Sequence, residues 1–298
     1  MIYTLTLNPA IDYVVQLDHP LTSGTINRTH AEVFQFGGKG INVSNVLRTL
    51  GQPTTALGFI AGFTGLGLEE ELQKSGLTTD FIRLPEGNTR INMKIKGSEE
   101  TEINGSGPAI PEEALCQLFY QLDKLVSGDV LVLSGSAPKC VSADIYAAIL
   151  RRLTGKAIAA VVDASGPLLT QTLPHHPFLI KPNRQELEEL FCTTLSSDEE
   201  ILSCARKLQK QGARNVLVSL ASQGALLLDE AGNVHRKSCP RGQIINSVGA
   251  GDSMVAGFIV GWLQTGDYDY ALRLGIAAGS ATAFSLGLAD KLAIDALL

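Results

Sequence analysis

Asn246-Ser247-Val248-Gly249-Ala250-Gly251-Asp252-Ser253 runs directly into a long apolar stretch. Two glycines let the backbone turn tightly and come close to a ligand. The helix expected over 253–263 points unpaired N–H groups and its positive dipole end at the same place. The result is an anion cradle with Asp252 at its lip. A carboxylate there does not bind phosphate, but it can take a proton from an attacking hydroxyl. The same residues also fit a plain glycine turn with an acidic residue opening a helix, so the surroundings must decide.

Working outward, short apolar runs recur at 2–7, 130–133, 158–162, 178–180, 216–219 and 225–228. Continuous runs of this length suit parallel strands covered on both faces. Val43, Val46, Leu47 and Leu50 follow helical spacing, and Gly51 is placed to end that helix. Further helices are expected around Leu187 and Leu190 and over 270–286. Strand and helix in alternation predict a doubly wound α/β domain spanning 1–298. Two segments break the rhythm, 10–36 and 88–104. In the second, Ile91, Met93 and Ile95 alternate with Asn92, Lys94 and Lys96, a strand with one wet face. Together they read as a small β-sheet projecting from the core, a lid or a dimer surface.

Composition narrows the partners. The 298 residues are 45% apolar and 18% charged, enough for a sizeable core. The net charge of −6 argues against nucleic acid or an anionic membrane. An anionic small molecule needs only a local basic pocket. No run reaches the ~20 apolar residues of a membrane span. The start, Met1-Ile2-Tyr3-Thr4-Leu5, reads as a strand rather than a signal peptide, so a cytoplasmic location is expected. Five scattered cysteines and five histidines show no metal-ligand spacing.

Three further elements carry chemistry. Gly37-Gly38-Lys39-Gly40-Ile41-Asn42-Val43-Ser44 is a second glycine turn opening a helix. It is neither a Walker A motif nor GxGxxG. Lys39 at the helix start and Asn42 one turn on suit sugar hydroxyls or a sugar phosphate. Lys181-Pro182-Asn183-Arg184-Gln185-Glu186 follows an expected strand, where open α/β sheets place ligands. Asn183 and Glu186 share a helix face and can serve Mg²⁺ or simply form a capping box. Ser219, Leu220, Ala221, Ser222, Gln223 and Gly224 fit either a nucleotide-lining turn or a plain hairpin. Asp12, Arg28 and Arg90 lie in or beside the two non-periodic segments.

Taken in order, these elements resemble the PfkB (ribokinase-like) sugar kinases over essentially the whole chain. Thr6-Leu7-Asn8-Pro9-Ala10-Ile11-Asp12, the GGKGINVS run, Thr89-Arg90-Ile91-Asn92, Ser134-Gly135-Ser136, KPN and VGAGDSMVAGF are similar to the phosphosugar branch. It is nearest to kinases of fructose 1-phosphate, with kinases of tagatose 6-phosphate as near relatives. The family signature DTxGAGD departs here at Asn246 and Ser247, and Ala221 stands where glycine is usual.

The resemblance implies roles. Asp252 would deprotonate the acceptor hydroxyl, and Gly249, Ala250 and Gly251 would form the anion hole. Asn183 and Glu186 would position Mg²⁺. Lys181, Asn183, Gly251 and the stretch from Ser219 to Gly224 would hold ATP. Asp12, Gly38 and Asn42 would hold sugar hydroxyls. Lys39, Arg28, Arg90 and Ser136 would meet the sugar's phosphate. The implied reaction is transfer from ATP to the C6 hydroxyl of fructose 1-phosphate, with a possible homodimer through the lid. Tagatose 6-phosphate phosphorylated at C1 is the alternative substrate, and a catalytically silent sugar-phosphate sensor is the alternative class. A nicotinamide-dependent oxidoreductase would need GxGxxG after the first strand. The chain instead reads Asn8-Pro9-Ala10-Ile11-Asp12 there.

Overall fold

The computed structural model describes residues 1–97 and 99–298. Thirteen strands are described: β1 (Ile2–Thr6), β2 (Ala10–Leu17), β3 (Thr29–Gly37), β4 (Thr54–Ala61), β5 (Thr78–Leu84), β6 (Arg90–Lys96), β7 (Glu100–Asn104), β8 (Val130–Ser134), β9 (Ala159–Asp163), β10 (Leu179–Ile180), β11 (Asn215–Ser219), β12 (Ala225–Leu228) and β13 (Val234–Lys237). The helices are α1 (Lys39–Thr49), α2 (Gly62–Lys74), α3 (Glu112–Leu122), α4 (Ile145–Arg152), α5 (Pro167–Thr170), α6 (Arg184–Phe191), α7 (Asp198–Lys210), α8 (Ala250–Thr265), α9 (Tyr268–Ala283) and α10 (Lys291–Asp295).

Nine strands form one sheet in the order β13-β12-β11-β10-β9-β8-β1-β4-β5. It is parallel except for β12 and β13, which pair antiparallel at one edge. Alternate residues of each strand serve opposite layers, as a pleated strand requires. Val130, Val132, Val161, Leu217 and Leu227 pack with α1, α8 and α9. Leu131, Leu133, Val162, Val218 and Leu228 pack with α3, α4, α6 and α7 on the other face. The apolar runs read from sequence are therefore strands buried on both faces.

Helices α8 and α9 lie in especially close contact. A Cβ on Gly257 would sit 2.6 Å from the Leu274 carbonyl oxygen and 2.9 Å from Gly275 Cα. Helix α8 starts at Ala250, three residues before the expected start, because the glycine turn itself supplies the first helical residues. Helix α9 ends at Ala283 rather than 286, where the Phe284 N–H closes onto Ser280.

The two non-periodic segments supply a separate four-stranded sheet, ordered β3-β2-β6-β7. Ser98, inside the expected 88–104 segment, lies outside the described residues. Register makes this sheet two-faced. Asp12 pairs with Gln35 and Asn92, and Asn92 pairs with Asn104, giving a polar row. The next row is apolar: Tyr13 pairs with Phe34 and Met93, and Met93 with Ile103. No helix among the described residues is long and apolar enough to cross a membrane.

The helix contact makes a signed prediction. Helix propensity alone favours Gly257→Ala by roughly 1 kcal/mol. Overpacking against the α9 backbone costs about 1–3 kcal/mol. Packing should win, so urea unfolding of Gly257→Ala should show a lower midpoint than wild type.

Candidate active site

Two clefts meet over the carboxyl ends of β9, β10 and β11. The larger, about 890 Å³, is bounded by the turn after β11, the start of α6, the 239–247 segment and the α8–α9 pair. Its walls include Met254, Ala283 and Phe284 on the apolar side and Asn183, Arg184 and Arg241 on the polar side. The smaller, about 430 Å³, lies between the lid and the core. Asp12, Gly38, Lys39, Asn42, Arg90, Lys181, Glu186 and Asp252 all line it. Asn183, Ser219 and Gly251 border both clefts, so the first turn of α8 stands at their junction.

Local sequence explains how α8 comes to open there. Gly249 is its N-cap, in the left-handed region at φ 80°, and a Cβ there would meet Leu288 at 2.7 Å. A Cβ on Gly251 would come within 3.3 Å of the Lys181 ammonium. The Ala250 N–H closes onto the Ser247 carbonyl at 3.3 Å, and the backbone of Gly251 lies at the junction with a lysine alongside.

Asp252 is buried, and its carboxylate accepts a hydrogen bond from Asn42 Nδ2 at 2.8 Å. That bond ties the first turn of α1 to the first turn of α8. Burial first, and the Asp163 carboxylate second, push the Asp252 carboxyl up to about 6. Asn42, Lys39 and Lys181 pull the other way. A carboxyl poised near neutrality is suited to accepting and returning a proton.

The cations are held in place. Lys39 stands 3.4 Å from Asp163 Oδ2, and Lys181 stands 3.1 Å from Asp163 Oδ1. Burial works against the charge on Lys39, but Asp163, Asp252 and Glu186 outweigh it and raise its ammonium above the usual value. Arg90 opens β6 and donates Nε–H to the Asn8 carbonyl at 3.2 Å. Burial lowers its guanidinium from the ordinary arginine value, with Asp12 opposing. Asp12 itself accepts from Asn92 Nδ2 at 2.7 Å.

Asn183 and Glu186 form a complete capping box on α6, each side chain bonded to the other's backbone N–H at 2.8 Å. Capping and lining the cleft are compatible, because both residues also face the junction. No group of three His, Cys, Asp or Glu residues able to cage a metal occurs among the described residues. One carboxylate beside a phosphate site still fits Mg²⁺, which keeps most of its waters and takes phosphate oxygens.

Some expected residues fall elsewhere. Arg28 is exposed in the stretch before β3, and Ser136 is exposed in the loop after β8; neither lines a cleft. Ser219, Leu220, Ala221, Ser222 and Gln223 line the larger cleft, while Gly224 lies outside it as the turn glycine of a real β11–β12 hairpin. The hairpin reading of that stretch is realised, and its turn also lines the larger cleft. Asp163, Asn92, Arg184 and Arg241 are lining residues that the sequence reading passes over. Asp163 directly follows the apolar run 158–162, the strand-end position that singled out Lys181. Asn92 is the wet-face neighbour of Arg90.

The pfkB family carbohydrate kinase model matches residues 4–294. This chain belongs to the PfkB family of carbohydrate kinases. It is 43% identical to a 1-phosphofructokinase of Bacillus subtilis over 298 residues, covering 100% of this chain and 97% of that protein. It is 40% identical to a D-tagatose-1-phosphate kinase of Bacillus licheniformis over 297 residues, covering 99% and 96%. The crystal structure of phosphofructokinase-2 from Escherichia coli with fructose-6-phosphate is similar at a TM-score of 0.92 and 30% identity, covering 99% and 97%. The fold is ribokinase-like, with the nine-strand sheet as core and the four-strand sheet as lid. This PfkB kinase is a phosphotransferase acting on a sugar, and kinases of the family use ATP.

The titration of Asp252 is directly measurable. Carbon-detected NMR of the carboxyl should give a midpoint near 6 rather than at the ordinary aspartate value. Asn42→Ala removes a hydrogen bond to the charged form and should move that midpoint upward. A normal aspartate midpoint would contradict the burial described for this carboxyl.

Proposed function

We propose that this PfkB kinase transfers the terminal phosphoryl group of ATP to the C6 hydroxyl of fructose 1-phosphate, giving fructose 1,6-bisphosphate and ADP. The observation that carries this reading is the junction itself. A cleft holding three basic side chains, Lys39, Arg90 and Lys181, meets a second cleft at the anion-binding turn of α8. A free sugar needs no such set of cations. A sugar phosphate does, and its second anion must be kept apart from the triphosphate.

In this reading Asp252 takes the proton from the sugar's C6 hydroxyl as that oxygen attacks the terminal phosphorus. The bond from that phosphorus to the ADP oxygen breaks. The N–H groups of Gly249, Ala250 and Gly251 face the charge on the transferring group, the kind of fixed-dipole stabilisation on which phosphoryl transfer relies. Lys181 neutralises the donor's phosphates beside Gly251. Lys39 and Arg90 hold the phosphate on C1, and Asp12, Gly38 and Asn42 hold sugar hydroxyls. Asn183 and Glu186 would hold Mg²⁺, which supplies charge neutralisation at the donor's phosphates. The apolar wall of Met254 and Phe284 suits the face of a purine. Arg28 and Ser136 have no part in this arrangement within one chain.

The identity to the B. licheniformis kinase favours a second substrate, tagatose 1-phosphate, whose phosphate occupies the same carbon. It differs from fructose 1-phosphate in one hydroxyl's configuration. The polar row Asp12–Asn92 on the lid is the group placed to read that difference. Tagatose 6-phosphate, the alternative expected from the sequence, would require the sugar to bind with its ends exchanged.

A coupled ADP-release assay with MgATP separates these. A kcat/KM preference of about 100-fold for fructose 1-phosphate, about 2.7 kcal/mol in the transition state, is the expected result. The same preference for either tagatose phosphate would replace the substrate and keep the roles. Asp252→Asn should lose about 10²–10⁴-fold in kcat. An unaffected kcat would remove Asp252 as the base.

The lid's outer face also supports a homodimer. Tyr13, Phe34, Met93 and Ile103 form an apolar row across all four strands, with Phe34 55% and Ile103 59% exposed. Tyr13 and Phe34 already stack at 4.6 Å. A second copy presenting the same row would bury it by two-fold symmetry. Light scattering should give twice the chain mass, and Phe34→Glu should halve it. A wild type that is monomeric at working concentration would sink this assembly.

A further inference from the structure

Asp163 has no part in the reaction proposed above, yet it is the most enclosed charged group of the site, with 1% of its surface exposed. We propose that Asp163 is a positioning residue that holds Lys39 and Lys181 in separate places, one in each substrate's path, and keeps both off the Asp252 carboxylate. The proposal rests on the kinase reading and extends it to a residue that touches neither substrate.

The geometry is that of a clamp. Asp163 is the last residue of β9, in the middle of the large sheet between β8 and β10. Its carbonyl accepts from the Gly135 N–H at 3.0 Å, and it sits in register with Ser134. A side chain on so fixed a strand end has little freedom. Its two oxygens divide the work: Oδ2 faces Lys39 at 3.4 Å, and Oδ1 faces Lys181 at 3.1 Å. Lys39 arrives from the start of α1 and lines only the lid-side cleft. Lys181 arrives from the end of β10 and lines the same cleft, but lies alongside Gly251, which borders both. Three elements that the chain joins only distantly thus meet on one carboxylate.

Two nearby ammonium groups repel, and Lys181 is 5% exposed, so it has no solvent to retreat to. A buried cation without a partner is costly. With Asp163 gone, the carboxylates that still act on Lys39 are Asp252 and Glu186, and the one that still feels Lys181 is Asp252. A lysine that swings to Asp252 neutralises the base and vacates a phosphate site in one movement. Asp163 prevents that by pairing with both cations, Lys39 through a hydrogen bond to Oδ2 and Lys181 through an ion pair on Oδ1 that lacks hydrogen-bond geometry, which leaves N–H donors of both for incoming phosphates.

The charges around Asp163 agree. Burial alone would raise its carboxyl, but Lys181 and Lys39 outweigh burial and hold it below the usual aspartate value. The groups that face it or feel its charge are Lys39 on α1, Lys181 after β10, Asp252 on α8 and the buried Tyr146 hydroxyl on α4. Its negative charge is the second cause, after burial, of the high Asp252 value.

The test is Asp163→Asn in the full chain, beside wild type. The carboxamide keeps the size but not the charge. Expected are a fall in kcat/KM of about 100-fold, the scale of a small misplacement of reacting groups, and an Asp252 midpoint in NMR titration clearly lower than in wild type. The acid limb of the rate profile should move down with it. A purely structural ion pair would lower the urea midpoint and, through lost charge alone, move the Asp252 midpoint, while kcat/KM measured well above both midpoints stayed close to wild type; that outcome overturns the proposal. If Asp163→Asn does not fold, Lys39→Gln and Lys181→Gln are compared singly and together. Rate losses whose product differs from the double variant by less than about 2-fold would mean the lysines act independently, which also overturns it. A wild type that phosphorylates free sugars but no sugar phosphate would instead defeat the substrate reading beneath it, while the fall in kcat/KM of Asp163→Asn on that sugar would still report the clamp.

Discussion

A carboxylate must stay out of water, remain able to ionise, and sit in the first turn of a glycine-opened helix. Asp252 meets these demands together, and the site is organised around them. Burial and the Asp163 charge push it toward its neutral form; the Asn42 amide and the two lysines pull it back. Neither set alone would leave it near neutrality. The balance requires α1, α8, β9 and the end of β10 to converge within a few ångströms. That convergence is possible because parallel strands deliver their carboxyl ends, and the helices that follow them, to one edge of the sheet.

The second constraint is separation. Two anionic substrates must approach each other without sharing one pocket. The structure handles this with two clefts that share a narrow border of Asn183, Ser219 and Gly251. Only small or short side chains stand there. The lid borders the smaller cleft with its polar row and presents its apolar row outward. Strand alternation makes the two faces inseparable: a one-residue slip in β2 or β6 would send Tyr13 inward and Asp12 out. The same register that places Asp12 beside Asn92 therefore also exposes Phe34 and Ile103.

Much of this was legible in the chain, for identifiable reasons. The runs at 130–133 and 158–162 lack polar residues, and 216–219 has one only at its end, Ser219; a strand covered on both faces tolerates that. The alternation from Ile91 to Lys96 marked the lid. The glycine turns at 37–40 and 249–251 marked where helices open toward the clefts. Less legible were β4 and α2, which abut at Ala61 and Gly62 with no capping side chain to mark the junction. The end of α9 ran long because Phe284, Ser285 and Leu286 continue an apolar pattern that the backbone does not follow.

The sequence by itself determined the layer architecture, the family, and the local chemistry of each glycine-opened helix, because those depend on residues close together in the chain. Tertiary structure alone decided which side chains share a carboxylate. Nothing in the spacing of Lys39, Asp163, Lys181 and Asp252 says that they meet; the strand order β10-β9-β8-β1 does. It decided also that Arg28 and Ser136 stand apart from the clefts of their own chain. Charge interactions act through space over a few ångströms, and sequence distance carries no information about them until the sheet is assembled.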